Sequence, residues 1–140
     1  MKLLVDINIV LDVILERLPW AEEAAELLAV IDRGEAAGWV AGHTITTAHY
    51  VVARARDRQI ANRAMSDLLQ VCDVVPVERS DFVHALAIGL SDFEDAVQAV
   101  CAVKIGADAI VTRNEKDFRS TAVHASGPAA VLATLAAARS

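Results

Sequence analysis

The most constraining feature is a short apolar run without alternation, Lys2-Leu-Leu-Val5, closed by Asp6 and followed at once by helical spacing. A strand with one wet face alternates apolar and polar residues. A run that stays apolar is buried on both faces, as in a parallel sheet covered by helices.

Short strands and longer helices continue to alternate along the chain. Apolar spacing is helical from Ile7 to Leu15, and Pro19 opens a second helix, Trp20 to about Asp32, with Ala24, Leu27, Leu28 and Ile31 on one face. Gly34 and Gly38 break the chain before a second strand, Trp39-Val40-Ala41. Thr44 or Thr46 is expected to cap a third helix running towards Arg58, and another helix covers roughly Ile60 to Leu69. Val71 to Val75, closed by Pro76, reads as the third strand, Ala109 to Val111 as the fourth, and Ala122 to His124 as a weak fifth. Between and after them lie helices from Ser80 to Ile88, from Ser91 to Ile105, and from Pro128 onward. Ser91-Asp92-Phe93-Glu94 has the form of a capping box. This alternation argues an α/β domain with a mostly parallel sheet. With no linker, repeat or low-complexity arm, residues 1–140 are expected to form a single domain.

Composition removes several classes of function. An apolar share of 55% and a charged share of 23% exclude wholesale disorder. The longest stretches free of Asp, Glu, Lys and Arg, Ala36 to Ala53 and Ser120 to Ala138, are too interrupted to span a membrane. Asp6 and Asp12 break the N-terminal apolar segment, so no signal peptide is expected. Cys72 and Cys101 form neither a CxxC pair nor a metal-ligand spacing, and are expected to be buried thiols in a reducing cytoplasm. The net charge of −6 argues against holding nucleic acid by bulk electrostatics alone. It leaves open acids gathered at one site.

In open α/β sheets the usable crevice lies beyond the carboxyl ends of the strands, where strand order reverses. The first strand ends at Asp6; the fourth ends at Thr112-Arg113-Asn114, with Asp117 three residues on. If these strands are neighbours, the two ends face each other. Asp95, in the first turn of the helix that feeds strand four, approaches the same place. Carboxylates so placed repel one another unless a hard cation neutralises them, and oxygen ligands suit Mg2+ or Mn2+. Taken singly, Asp6 equally suits a helix cap, Asp92 a first-turn acid and Glu94 the reciprocal partner of the capping box. Asp95 stands on an otherwise apolar helix, which favours function.

Arg54, Arg56, Arg58 and Arg63 form the densest basic cluster. Each alone reads as a solvated helix face. Arg54 and Arg58, spaced one turn apart, can still grip phosphates, and Arg113, Lys116 and Arg119 lie near the acids. His43, His49, His84 and His124 show no metal spacing, and Trp20 and Trp39 read as core anchors. No phosphate-cradling loop or nucleophile elbow is present, which counts against nucleotide-cofactor and hydrolase-triad chemistry.

Val5-Asp6-Ile7-Asn8, Ser91-Asp92-Phe93-Glu94-Asp95-Ala96 and Val111-Thr112-Arg113-Asn114-Glu115-Lys116-Asp117-Phe118 together resemble the PIN-domain family, in particular the VapC-like ribonuclease toxins of bacterial toxin–antitoxin pairs. The resemblance implies a three-layer α/β/α fold with five strands in the order 3-2-1-4-5. It also implies Mg2+-dependent endoribonuclease activity in a cytoplasmic, commonly dimeric protein held inactive by a cognate antitoxin. By motif, Asp6 and Asp95 match the principal metal-binding acids and Asn8 matches the Asn that supports the first loop. Two positions depart from the pattern: the Glu expected at the start of the third helix falls on Thr47, and the acid after Thr112-Arg113 is Asn114. Asp117 or Asp92 is left to compensate. The rival expectation is a catalytically weak or inactive PIN-like module that binds RNA or protein without cutting; a small doubly wound domain acting on a small molecule is more remote.

Overall fold

The computed structural model describes residues Met1–Ser140. Five strands, β1 (Lys2–Val5), β2 (Ala37–Ala41), β3 (Asp73–Val75), β4 (Ala109–Val111) and β5 (Ala125–Ser126), form one sheet in the order β3-β2-β1-β4-β5. Every pairing is parallel. The helices are α1 (Ile7–Ile14), α2 (Ala21–Asp32), α3 (Gly42–Ala55), α4 (Arg58–Val71), α5 (Arg79–Ile88), α6 (Phe93–Lys104) and α7 (Pro128–Ala138), with a 3-10 turn at Glu115–Phe118. The expected strand order is present.

Because successive strand residues point to opposite faces, the central strands divide their side chains between two cores. Leu3, Val5, Ala109 and Val111 pack with α1, α2, α3, α4 and α7 on one face. Leu4 and Ile110 pack with α5, α6 and Phe118 on the other. That gives the α/β/α layering, and it explains why the first run could not alternate.

Several element ends differ from expectation. Neither Thr44 nor Thr46 caps α3; Ala41 occupies the cap without a side-chain bond, and Thr44 is buried inside the helix. The helix leaves β2 directly because Gly42 presses on β3: a Cβ there would stand 3.1 Å from the Val75 carbonyl oxygen. Arg54 and Arg58 do not share a helix, since α3 stops at Ala55 and Asp57 caps α4 by accepting from the Ile60 N–H at 2.8 Å. The cap of α6 is Asp92 rather than Ser91, its Oδ1 accepting from the Asp95 N–H at 3.0 Å. The fifth strand starts at Ala125, because the Thr121 hydroxyl shares its one proton between the Phe118 and Val123 carbonyls, 2.6 and 2.9 Å away, and holds the preceding residues in a turn. Trp20 is no core anchor: it is exposed, with the Arg113 guanidinium 3.9 Å above its ring. Cys72 and Cys101 are buried free thiols, pushed up to about 12 and about 11 by burial.

Candidate metal centre

β1 and β4 lie side by side, with Val5 opposite Val111, so Asp6 and Thr112 leave the sheet together. The Asp6 N–H donates to the Val111 carbonyl at 2.9 Å, which continues the ladder one step past the strand. Its carboxylate is buried and held at both oxygens. Gln98 Nε2 donates to Oδ1 at 2.9 Å and Thr112 Oγ1 donates to Oδ2 at 2.8 Å. Burial dominates at this carboxylate and raises its pKa, against the lowering influence of Gln98, Thr112 and the backbone at Asn8 and Ile7. Gln98 works at both ends, because its Oε1 accepts from the Ile7 N–H at 3.2 Å. Thr112 does likewise, accepting at Oγ1 from the Asn114 N–H at 3.0 Å. Asn114 therefore touches the centre through its backbone.

Gln98 Nε2 also lies 3.5 Å from Asp95 Oδ1, one turn back on α6. Asp95 is pushed up to about 7, first by burial and then by the charges of Asp92, Asp6, Asp117 and Glu94. Acids following β1, on α6 and in the turn after β4 thus act on one another's charge at the carboxyl ends of the central strands. The 3-10 turn that brings Asp117 there had no sequence signature beyond its polarity.

Glu94 is the acid that sequence reasoning assigned elsewhere. With Asp92 as the cap, Glu94 is released from capping and its carboxyl is raised by burial and by Asp92 and Asp6. Thr47, the position lacking the expected acid, faces Glu94 and offsets part of that rise. His43 Nε2 approaches Glu94 Oε1 to 3.6 Å, beyond hydrogen-bond range, and these atoms and the Thr44 hydroxyl are buried without partners. Burial lowers the pKa of His43.

The basic residues are divided. Arg113 turns to the buried Asp12, donating from Nε at 2.9 Å and from a terminal nitrogen at 3.4 Å, and stacks on Trp20. Arg54 lies against the Tyr50 ring at 5.9 Å, and Arg58 is exposed at the start of α4. None of the three reaches the acids in this arrangement.

The donor set at the centre is oxygen-only, which suits a hard cation. No three or more His, Cys, Asp or Glu side chains are gathered at metal-holding distance. The fit is to an ion that takes one or two carboxylates and keeps several waters, as Mg2+ does. Burial first, and then the neighbouring acids, push Asp95 up to about 7, and such an ion would offset both.

A sequence model for the family described as PIN domain matches residues 2–116. The chain belongs to the PIN domain family. No curated protein matches it by sequence. Among solved structures, this PIN domain is similar to VapBC2 from Rickettsia felis, described as bound to a DNA fragment from its promoter, with a TM-score of 0.71 at 12% identity over 91% of this chain and 98% of that one. It is similar to VapC20 of Mycobacterium tuberculosis, described as a Sarcin-Ricin loop cleaving toxin, with a TM-score of 0.65 at 16% identity over 77% of this chain and 86% of the other. PAE2754 from Pyrobaculum aerophilum gives 0.64 at 22% identity over 98% and 90%. At these identities the likeness is one of fold. No helix of the PIN domain is long and apolar enough to cross a membrane.

Proposed function

We propose that this PIN domain is a Mg2+-dependent endoribonuclease that hydrolyses RNA phosphodiester bonds, and the toxin of a toxin–antitoxin pair. The observation that carries the proposal is the buried Asp6 carboxylate at the carboxyl ends of β1 and β4, bonded to Gln98, whose amide nitrogen also lies 3.5 Å from Asp95. That arrangement is unfavourable for folding alone. It is useful once a cation binds.

Asp6 and Asp95 are the residues that would hold Mg2+ (or Mn2+). When bound, the ion supplies charge neutralisation and Lewis-acid polarisation of a phosphate oxygen. The chain's own residues do the rest. Gln98 and Thr112 orient the Asp6 carboxylate, the Ile7 N–H fixes Gln98 in turn, and Asn8 is the polar residue supporting this first loop. Asp92 sets the first turn of α6 and so the direction of Asp95. Asp117 stands by to accept a proton from the attacking water, with Asn114 and Thr47 as polar supports in place of further acids. Of the basic positions expected to meet RNA, Arg113 is held by Asp12 and Trp20, and Arg54 and Arg58 stand away from the acids, so none of the three is given a part in binding. The partners that follow are RNA, a cognate antitoxin and a second copy of the chain, in one cytoplasmic domain; the VapBC complex among its structural relatives supports the antitoxin.

A cleavage assay in Mg2+ with wild type, Asp6→Asn and Asp95→Asn tests the proposal. Loss of at least about 100-fold in rate in each variant is expected; equal cleavage by all three would sink it. The second reading, a PIN module that binds without cutting, is favoured by Thr47 and Asn114 standing where acids are expected. Specific Mn2+ binding by calorimetry, abolished in Asp95→Asn, separates the two.

A further inference from the structure

A cavity of about 970 Å³ opens between the end of β4 and the start of β5. Its charged lining comprises Arg113, Glu115, Lys116, Asp117 and Arg119, and most of these are already engaged. Arg113 is committed to Asp12 and Trp20. Glu115 accepts from the Gly127 N–H at 3.0 Å and pins the turn before α7. Asp117 acts on Asp95 by its charge. Asn114 also lines the cavity and its N–H donates to the Thr112 hydroxyl that holds Asp6, so the cavity adjoins the acid centre. Lys116 and Arg119 remain: both are exposed, and neither forms an ion pair or a side-chain hydrogen bond.

Their spacing has a geometric consequence. Glu115–Phe118 is a 3-10 turn, and Arg119 continues it with helical dihedrals of −59° and −36°. In a 3-10 helix, side chains three residues apart eclipse, separated by about 6 Å along the axis. Lys116 and Arg119 are therefore stacked on one side of the turn, comparable to the step between successive phosphates of an extended strand.

We propose that this cavity seats the backbone of single-stranded RNA, with Lys116 and Arg119 each contacting a phosphate next to the one presented to Asp6 and Asp95. This rests on the ribonuclease proposal and adds the path of the strand. Two unpaired cations beside a cluster of acids resolve the problem that the net charge poses. The acids need a polyanion delivered to them, and a short cationic track is enough to hold it. Arg54 and Arg58 do not line this cavity.

The test is binding of a labelled, unstructured RNA oligonucleotide in Ca2+, followed by fluorescence anisotropy across a salt series. Wild type is compared with Lys116→Gln/Arg119→Gln and with Arg54→Gln/Arg58→Gln. The first pair is expected to bind at least about tenfold more weakly at low salt. Its slope of log K against log salt should be shallower by about 1.4, since each single-strand phosphate contact contributes about 0.7. The second pair should stay close to wild type. Unchanged affinity and slope in the first pair, loss confined to the second, preference for duplex DNA, or no RNA binding by wild type would each overturn the proposal. Cleavage measured on the same samples keeps the two proposals apart: binding lost as expected with no cleavage by wild type would refute the ribonuclease activity and leave the strand path standing.

Discussion

Asp95 carries the titration of the centre. Its carboxyl sits near 7, against an ordinary 3.8, because burial and then Asp92, Asp6, Asp117 and Glu94 disfavour its charge. A raised acid pKa means that the folded state binds the proton more tightly than the unfolded chain. The associated stability is fully present below about pH 4 and disappears as pH rises through 7. The melting temperature of metal-free protein is therefore expected to fall between pH 4 and pH 8, and Asp95→Asn is expected to flatten that fall. Metal must displace the proton, so Mn2+ affinity should rise across the same interval, with proton release in calorimetry at pH 6 that fades above pH 8. A melting temperature independent of pH in wild type would contradict this. The residues that hold Asp6 were less legible than the acids. Gln98 carries no charge and sits among Ala96, Val97 and Ala99, so a search for acids passes over it. The available signal was a polar side chain at an apolar position of α6, a place where a buried amide requires partners.

At the scale of elements, the opening of α6 shows why local patterns were ambiguous. Ser91 with Glu94 and Asp92 with Asp95 are two overlapping frames of one capping signature, and nothing in the residues alone separates them. The structure takes the second, which frees Glu94 to face Thr47. The far end of the same helix is fastened to α5. Lys104 Nζ donates to Asp81 Oδ2 at 2.8 Å and to the Pro76 carbonyl at 2.8 Å, while the Glu78 N–H donates to the same Asp81 oxygen. The Lys104 hydrogen bond, followed by that from Glu78, holds the Asp81 carboxyl below the ordinary carboxylate range. A depressed acid stabilises the fold above the ordinary pKa and ceases to do so as pH falls through its folded value. Asp81→Asn is expected to lower stability at pH 7 by roughly 1 kcal/mol, the worth of one such hydrogen bond. The difference from wild type should shrink in urea unfolding as pH falls below the ordinary carboxylate value of 3.8. An unchanged midpoint at pH 7 would show that the fastening is idle.

For the whole molecule, the two-sided burial of β1 was the most legible feature. Leu3 and Leu4 are adjacent and fully buried, yet they belong to different cores. That is the signature of a central parallel strand, and it made the layering readable before the helices were placed. The short flanking strands were less readable. Ala125–Ser126 carries almost no β propensity and pairs because Ile110 and Val111 stand beside it. Truncating either leucine should test the central position. Leu3→Ala is expected to cost about 2–5 kcal/mol in chemical denaturation, as buried Leu-to-Ala changes do. A loss under about 1 kcal/mol would mean that the core closes around the gap.

The exposed Trp20 has a further consequence. It is one of two tryptophans, and its ring lies under the guanidinium of Arg113, the residue next to the Thr112 that bonds Asp6. Emission from that indole is sensitive to any shift of the loop leaving β4, so the chain carries its own optical gauge at the rim of the acid centre. A Trp39→Phe background leaves Trp20 as the sole emitter, and events at the centre can then be followed in unlabelled protein.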